Sequence, residues 1–138
     1  MNVIRLNSRL EELPRAVAWL EECCAREGIP GEVVGDLRLA LDELLTNTIR
    51  HGYSASGEGE MEIRLERVAS SARMELRDRA RPFDPLTVPE PELGAAPEAR
   101  PIGGLGVHLV RSLMDCASYA YEEGENRIVL ERRWSEDP

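Results

Sequence analysis

In the stretch DELLTNTIRHGY, three polar residues recur at four-residue intervals: Glu43, Asn47 and His51. On a helix, residues i and i+4 lie one above the other, about 6 Å apart along the axis. Glu43 and Asn47 can then address one point in space. A carboxylate there can accept a proton, and an amide carbonyl can hold a hard cation such as Mg²⁺. The pair suits a hydroxyl group and a metal side by side. A solvated helix face presents the same pattern. His51 shares the face, where a supporting or packing role is expected rather than direct chemistry.

Two further stretches carry residues of this kind. In LRDRARPFDP a strand ends at Asp78. A carboxylate at a strand end, in a partly apolar pocket, can accept hydrogen bonds from an amine, and adenine's exocyclic amine would fit. An aspartate there is also a common turn or cap residue. In IGGLGVHLVRSLMD, glycines let backbone N–H groups approach a phosphate, and the helix that follows adds its positive end. The loop that opens any helix can look alike.

These residues must be positioned by regular elements. Residues 2–6 read as a short strand. Leu10, Leu13, Val17 and Leu20 then form a helical stripe, expected to face the core, from about residue 10 to Glu27. Pro14 is tolerable only in its first turn, and Gly28 stops it. Pro30 opens a second helix with a broad apolar face (Leu37, Ala40, Leu41, Leu44, Leu45, Ile49), ended by Gly52. SASGEGE is a polar loop. Met61, Ile63 and Leu65 alternate with charges, as do Met74 and Leu76 after a turn at Ser70–Ser71, which predicts a hairpin. Six of the nine prolines fall between Pro82 and Pro101, a loop either functional or disordered. A third helix follows (Val107, Leu109, Val110, Leu113, Met114). A last hairpin turns at EGEN between Tyr119, Tyr121 and Ile128, Leu130. The order predicts an α+β fold, a two-layer α/β sandwich whose mixed, mostly antiparallel sheet carries helices on one face.

Composition narrows the function classes. With 138 residues, a single domain is expected, and 42% hydrophobic with 31% charged residues suits a globular chain. No apolar run of spanning length and no secretory signal occur, so a cytoplasmic location and no membrane partner are expected. A net charge of −9 repels phosphate backbones and argues against nucleic acid, while it suits a basic protein partner. All 17 basic residues are arginine, which excludes a Walker-type phosphate loop and a Schiff-base enzyme. Cys23, Cys24 and Cys116 show neither zinc nor disulfide spacing and are expected to be buried thiols.

Taken in order, DLRLALDELLTNTIRHGY, RPFDP and GGLGVHLVRSLMD resemble the N, G1 and G2 boxes of the GHKL, or Bergerat-fold, ATPases. Together with the closing ENRIVLERRW, the chain resembles in particular the anti-sigma-factor serine/threonine kinases, the RsbW-like group. The resemblance implies an ATP-dependent protein kinase with ATP and Mg²⁺ as cofactors. Glu43 would be the general base and Asn47 the Mg²⁺ ligand. Asp78 would read adenine, with Phe83 beside it, and Gly103, Gly104, Leu105, Gly106 and Val107 would form the phosphate-side loop. Residues from about 80 to 103 would be the ATP lid, where Arg100 is a candidate for offsetting phosphate charge. The implied partners are a STAS-domain anti-anti-sigma protein, a sigma factor and a second copy of the chain. One position departs: the family's first adenine-side box usually reads D-x-G, and Ala80 replaces that glycine, although Phe83, Asp84 and Pro85 still match. An alanine disfavours positive φ, so a non-catalytic ATP-binding module acting by partner capture is the rival expectation. A histidine kinase would need a separate phosphoacceptor helix, and His51 and His108 both lie inside the nucleotide boxes.

Overall fold

Alternation of apolar and charged side chains decides how this chain pairs. The structure, a computed structural model, describes residues 1–53, 59–87 and 104–136, and only the backbone of 104–108. Five strands form one sheet: β1 (Asn2–Asn7), β2 (Glu60–Val68), β3 (Ser71–Asp78), β4 (Cys116–Glu122) and β5 (Glu125–Arg133). Their order is β1-β2-β3-β5-β4. Every neighbouring pair is antiparallel, so no parallel pair occurs among the described residues. The last hairpin closes through Glu123 and Gly124, both at positive φ (53° and 80°), between the paired Glu122 and Glu125. That is the two-residue turn whose twist matches the flanking strands.

Ile63, Leu65, Met74, Leu76, Ile128 and Leu130 line one sheet face and are fully or almost fully buried. Helices α1 (Leu13–Glu27), α2 (Gly31–Asn47) and α3 (Gly104–Leu113) cover that face. Leu37, Leu41, Leu44 and Leu45 of α2 are buried against it, as their spacing predicts. At the end of α1, Ile29 N–H returns to Cys24 O at 3.0 Å, and Gly28 adopts φ 68°. Arg67 Nη1 caps the same end through Glu27 O at 2.8 Å, with its guanidinium over Trp134.

Two expectations are corrected here. The buried face of α1 is Ala16, Leu20, Cys23 and Cys24, with Leu13 partly buried against the core; of the expected stripe, Leu10 and Val17 fall outside it. A 3₁₀ turn over Leu10–Glu12 precedes Pro14, so the helix proper starts later and Leu10 is exposed. Leu13 and Val17 also line a groove of about 480 Å³ with Pro14, Ala18, Glu21, Arg38 and Asp42. Cys23 and Cys24 are buried, but Cys116 is exposed, because it opens the edge strand β4 on the outward sheet face.

That outward face is charged, and one carboxylate on it is nearly inaccessible. Glu75 is 5% exposed. Burial alone would raise its pKa, but hydrogen bonds from Arg77, at 2.7 Å, and Arg127 hold it below the usual carboxylate range. Arg77 and Arg127 face each other in the register, so Glu75 also separates like charges. A folded-state pKa below the unfolded value stabilises above the unfolded pKa and is lost as pH falls through the folded one. Glu75→Ala should therefore lose about 1–3 kcal/mol in urea denaturation at pH 7. Its deficit against the unsubstituted protein should shrink on acidification below about pH 4. Equal stability at pH 7 would show that the cluster contributes nothing.

Candidate active site

The site begins on α2, where polar residues interrupt an otherwise apolar face. Asn47, in the last turn, is 1% exposed, and its Nδ2 has no hydrogen-bond partner among the described residues. Leaving a buried donor unpaired costs about 1–3 kcal/mol, so an amide of this kind suits a ligand better than a core. One turn earlier, Glu43 is half-buried. Burial, and secondarily the charge of Asp42, holds its carboxyl above the usual carboxylate range, while Arg50 pulls it back.

After Asn47 the helix widens into a π-helical turn over Thr48–Gly52. Such turns are rare and recur at functional sites. This one grips the loop after β3. Arg81 donates from Nε and Nη2 to His51 O at 3.2 and 2.8 Å. The His51 ring lies 5.4 Å from that of Phe83, centroid to centroid. His51 therefore packs and anchors, as its expected supporting role required. A Cβ on Gly52 would sit 3.2 Å from the Ala80 methyl, tighter than an ordinary contact. Ala80 is buried and does not adopt positive φ. The loop thus accepts alanine without backbone strain, because Gly52 leaves room for the methyl.

Asp78 closes the inward series Met74, Leu76, Asp78 on β3 and is 4% exposed. Burial pushes its carboxyl above the usual range. Hydrogen bonds from Asn126 Nδ2 at 2.9 Å and Ala80 N–H at 3.0 Å oppose that shift, and both end on Oδ1. Asn126, directly opposite Asp78 in the register, was not singled out by the sequence reading beyond the EGEN turn. The signal lay in the period-two series Asn126, Ile128, Leu130, where one inward position is polar. Tyr53 packs nearby, and burial drives its phenol up to about 12.

The loop then runs to α3. Phe83 N–H donates to Asn126 Oδ1 at 3.1 Å. Asp84 Oδ1 accepts Leu86 N–H at 2.9 Å, capping a 3₁₀ turn over Pro85–Thr87. Arg111 of α3 donates from Nε to Leu86 O at 2.9 Å. The three sequence motifs are thus joined: α2 to the β3 loop through its π turn, and that loop to α3 through Arg111. Gly104, Leu105, Gly106 and Val107 form the first turn of α3. Gly103, Arg100 and most of the expected lid lie outside the described residues, as does the loop at 54–58. A cleft of about 460 Å³ reaches Asp78 and Tyr53, flanked by Arg5, Arg77 and Arg79, but neither Glu43 nor Asn47 lines it.

Among the described residues no group of three or more His, Cys, Asp or Glu could hold a metal. Asn47 could offer a cation only its amide carbonyl, since Nδ2 is a donor, and Mg²⁺ habitually takes one or two protein oxygens and fills its other positions with water and phosphate.

Residues 6–132 match the histidine kinase-like ATPase domain family. The chain is 33% identical over 116 residues to a serine-protein kinase RsbW of Listeria monocytogenes, covering 80% of this chain and 73% of that protein. It is 25% identical over 115 residues to the serine/threonine-protein kinase BtrW of Bordetella bronchiseptica, covering 83% and 81%. In fold it is similar to the crystallised RsbU and RsbW domains of a Mycobacterium tuberculosis protein. That likeness has a TM-score of 0.62 at 17% identity, and covers 96% of this chain and 32% of the other. Three motifs joined around a buried asparagine and a buried aspartate, and relatives of this kind over most of the chain, have one reading: the protein belongs to the histidine kinase-like ATPase family, among its RsbW-like, ATP-dependent serine/threonine-protein kinases.

Proposed function

We propose that the protein transfers the γ-phosphoryl group of ATP to a serine or threonine of a STAS-domain anti-anti-sigma protein, and captures a sigma factor once that antagonist is phosphorylated. The observation that carries this reading is on α2: a half-buried carboxylate of raised pKa, Glu43, one turn from the buried amide of Asn47. Glu43 takes the proton of the incoming hydroxyl. The hydroxyl oxygen bonds to the γ-phosphorus as the bond to the bridging oxygen of the departing ADP breaks. Asn47 would hold Mg²⁺ through its amide carbonyl, and the ion when bound offsets triphosphate charge. Asp78 accepts from the exocyclic amine of adenine, with Phe83 beside it, and the first turn of α3 faces the phosphates. The segment from about 80 to 103 serves as lid. The acidic chain, at −9, suits basic partner surfaces. We place the kinase in the cytoplasm, as a homodimer. No helix among the described residues is long and apolar enough to cross a membrane.

Ala80 was the feature favouring a module that binds without catalysing. Its backbone lies outside the positive-φ region and its methyl is accommodated by Gly52. No strain is left to weaken nucleotide binding on that account.

Incubating the protein with Mg-ATP and a STAS-domain protein from the same genome should label one serine or threonine of the latter. A folded partner left unlabelled contradicts the proposed substrate. Glu43→Gln keeps the shape of the side chain and removes the base. It should cut transfer by about 10²–10⁴-fold with ATP affinity retained. Because Glu43 acts ionised and its pKa is raised, the acid limb of the transfer rate should lie above about pH 4.3, the value of an ordinary glutamate. A rate independent of pH down to that value would remove Glu43 from the role.

Asp78 gives a second, opposite signature. Its folded pKa exceeds the unfolded one, so ionising it costs stability, and the cost is present at neutral pH. Asp78→Asn should melt no lower than the unsubstituted protein, yet lose the upward melting shift that Mg-ATP gives. A variant that keeps the shift would show that Asp78 does not receive the base.

A further inference from the structure

Asn126 is a buried amide that none of the three motifs contains. It is 2% exposed and paired with Asp78 across β3 and β5. A buried asparagine must find partners for two donor hydrogens and one carbonyl. Here the two Nδ2 hydrogens are shared among three acceptors, Asp78 Oδ1 at 2.9 Å, Arg81 O at 3.0 Å and Ala80 O at 3.1 Å. Its Oδ1 accepts from Phe83 N–H at 3.1 Å and from the Tyr119 hydroxyl. Donors and acceptors from β3, its following loop and β4 all end on this one side chain. An aspartate in its place would supply no donor, a leucine neither function, and a serine would be too short to span them.

The arrangement has a directional consequence. The terminal torsion of an aspartate is broad, so a carboxylate left alone presents its oxygens over a wide range. At Asp78 two N–H groups, from Asn126 and Ala80, converge on Oδ1. Both of those bonds end on Oδ1 and Asp78 lines the cleft of about 460 Å³, so Oδ2 is the oxygen they leave for a ligand. We infer that Asn126 is a positioning residue for base selectivity: it aims the free oxygen of Asp78 at an amine on the purine and so discriminates adenine from a purine that carries a carbonyl there. This rests on the proposed reading that Asp78 receives the base. A site built to accept from a substrate N–H rejects the analogue that lacks it far more strongly than an apolar pocket could. Against a carboxylate oxygen, a carbonyl offers no donor and adds repulsion.

A purely structural Asn126 would weaken all nucleotides alike. The test is therefore a ratio. Calorimetric dissociation constants for ATP and inosine triphosphate, each with Mg²⁺, are measured on the unsubstituted protein, Asn126→Ser and Tyr119→Phe. The unsubstituted protein should prefer ATP. Asn126→Ser should lose about tenfold or more in ATP affinity with inosine triphosphate little changed, so the ratio collapses. Tyr119→Phe, which removes only the hydroxyl that steadies the amide, should move the ratio the same way by less. If Asn126→Ser does not melt cooperatively, Tyr119→Phe decides. An unchanged ratio in the folded variants, or equal losses for both nucleotides, overturns the assignment of Asn126 while leaving Asp78 in place. No preference for ATP in the unsubstituted protein overturns both, because Asp78 then does not read an amine.

Discussion

A carboxylate can end an apolar strand inside a protein only where something donates to it, and here the donor is an amide on the neighbouring strand. The Asp78–Asn126 hydrogen bond links β3 to β5 at the edge of the core, where Met74 and Leu76 have already turned inward. Without it, Asp78 would face the desolvation that raises its pKa with only Ala80 N–H in opposition. With it, the acid keeps its place at the head of the site, and the same amide fixes Phe83 and the carbonyls of Ala80 and Arg81. The loop shape, and through it the grip on α2 and α3, follows from satisfying one buried pair.

The joints between the motifs rely on backbone carbonyls as acceptors. His51 O takes Arg81, and Leu86 O takes Arg111. An all-arginine cation set suits this work, because a planar guanidinium can offer two parallel donors to one oxygen. The arrangement places a half-buried acid and a buried amide with an unpaired donor on one helix, and a second acid across a loop that the helix itself holds. Rigid elements carry all three groups, as precise chemistry demands.

Much of this was legible in the sequence. Period-two alternation located the cores of β2, β3 and β5, though not their ends, and the four-residue interval brought Glu43 and Asn47 onto one helix face. The turn at Glu123 and Gly124 was visible in EGEN. What escaped had physical causes. Half of the stripe expected on α1 meets the core, at Leu13 and Leu20; Leu10 misses it because it lies in a 3₁₀ turn before the helix begins. Cys116 seemed a core thiol, but edge position is a property of sheet order, and no local pattern encodes it. Asn126 escaped because its importance depends on register with a residue 48 positions away. Arg111 looks like any helix-surface cation until its acceptor is known.

The contact between Gly52 and Ala80 has an implication for how such chains diverge. Side by side, the two positions hold one methyl between them, and the 3.2 Å clearance leaves no space for a second. An alanine in the loop and a glycine in the π turn are therefore spatially coupled. Restoring the customary loop glycine alone would open a void, and adding a methyl to the turn alone would force it against the loop. A side chain at either position therefore limits what the other can carry, and the departure at Ala80 is absorbed, in three dimensions, by the bare backbone of Gly52.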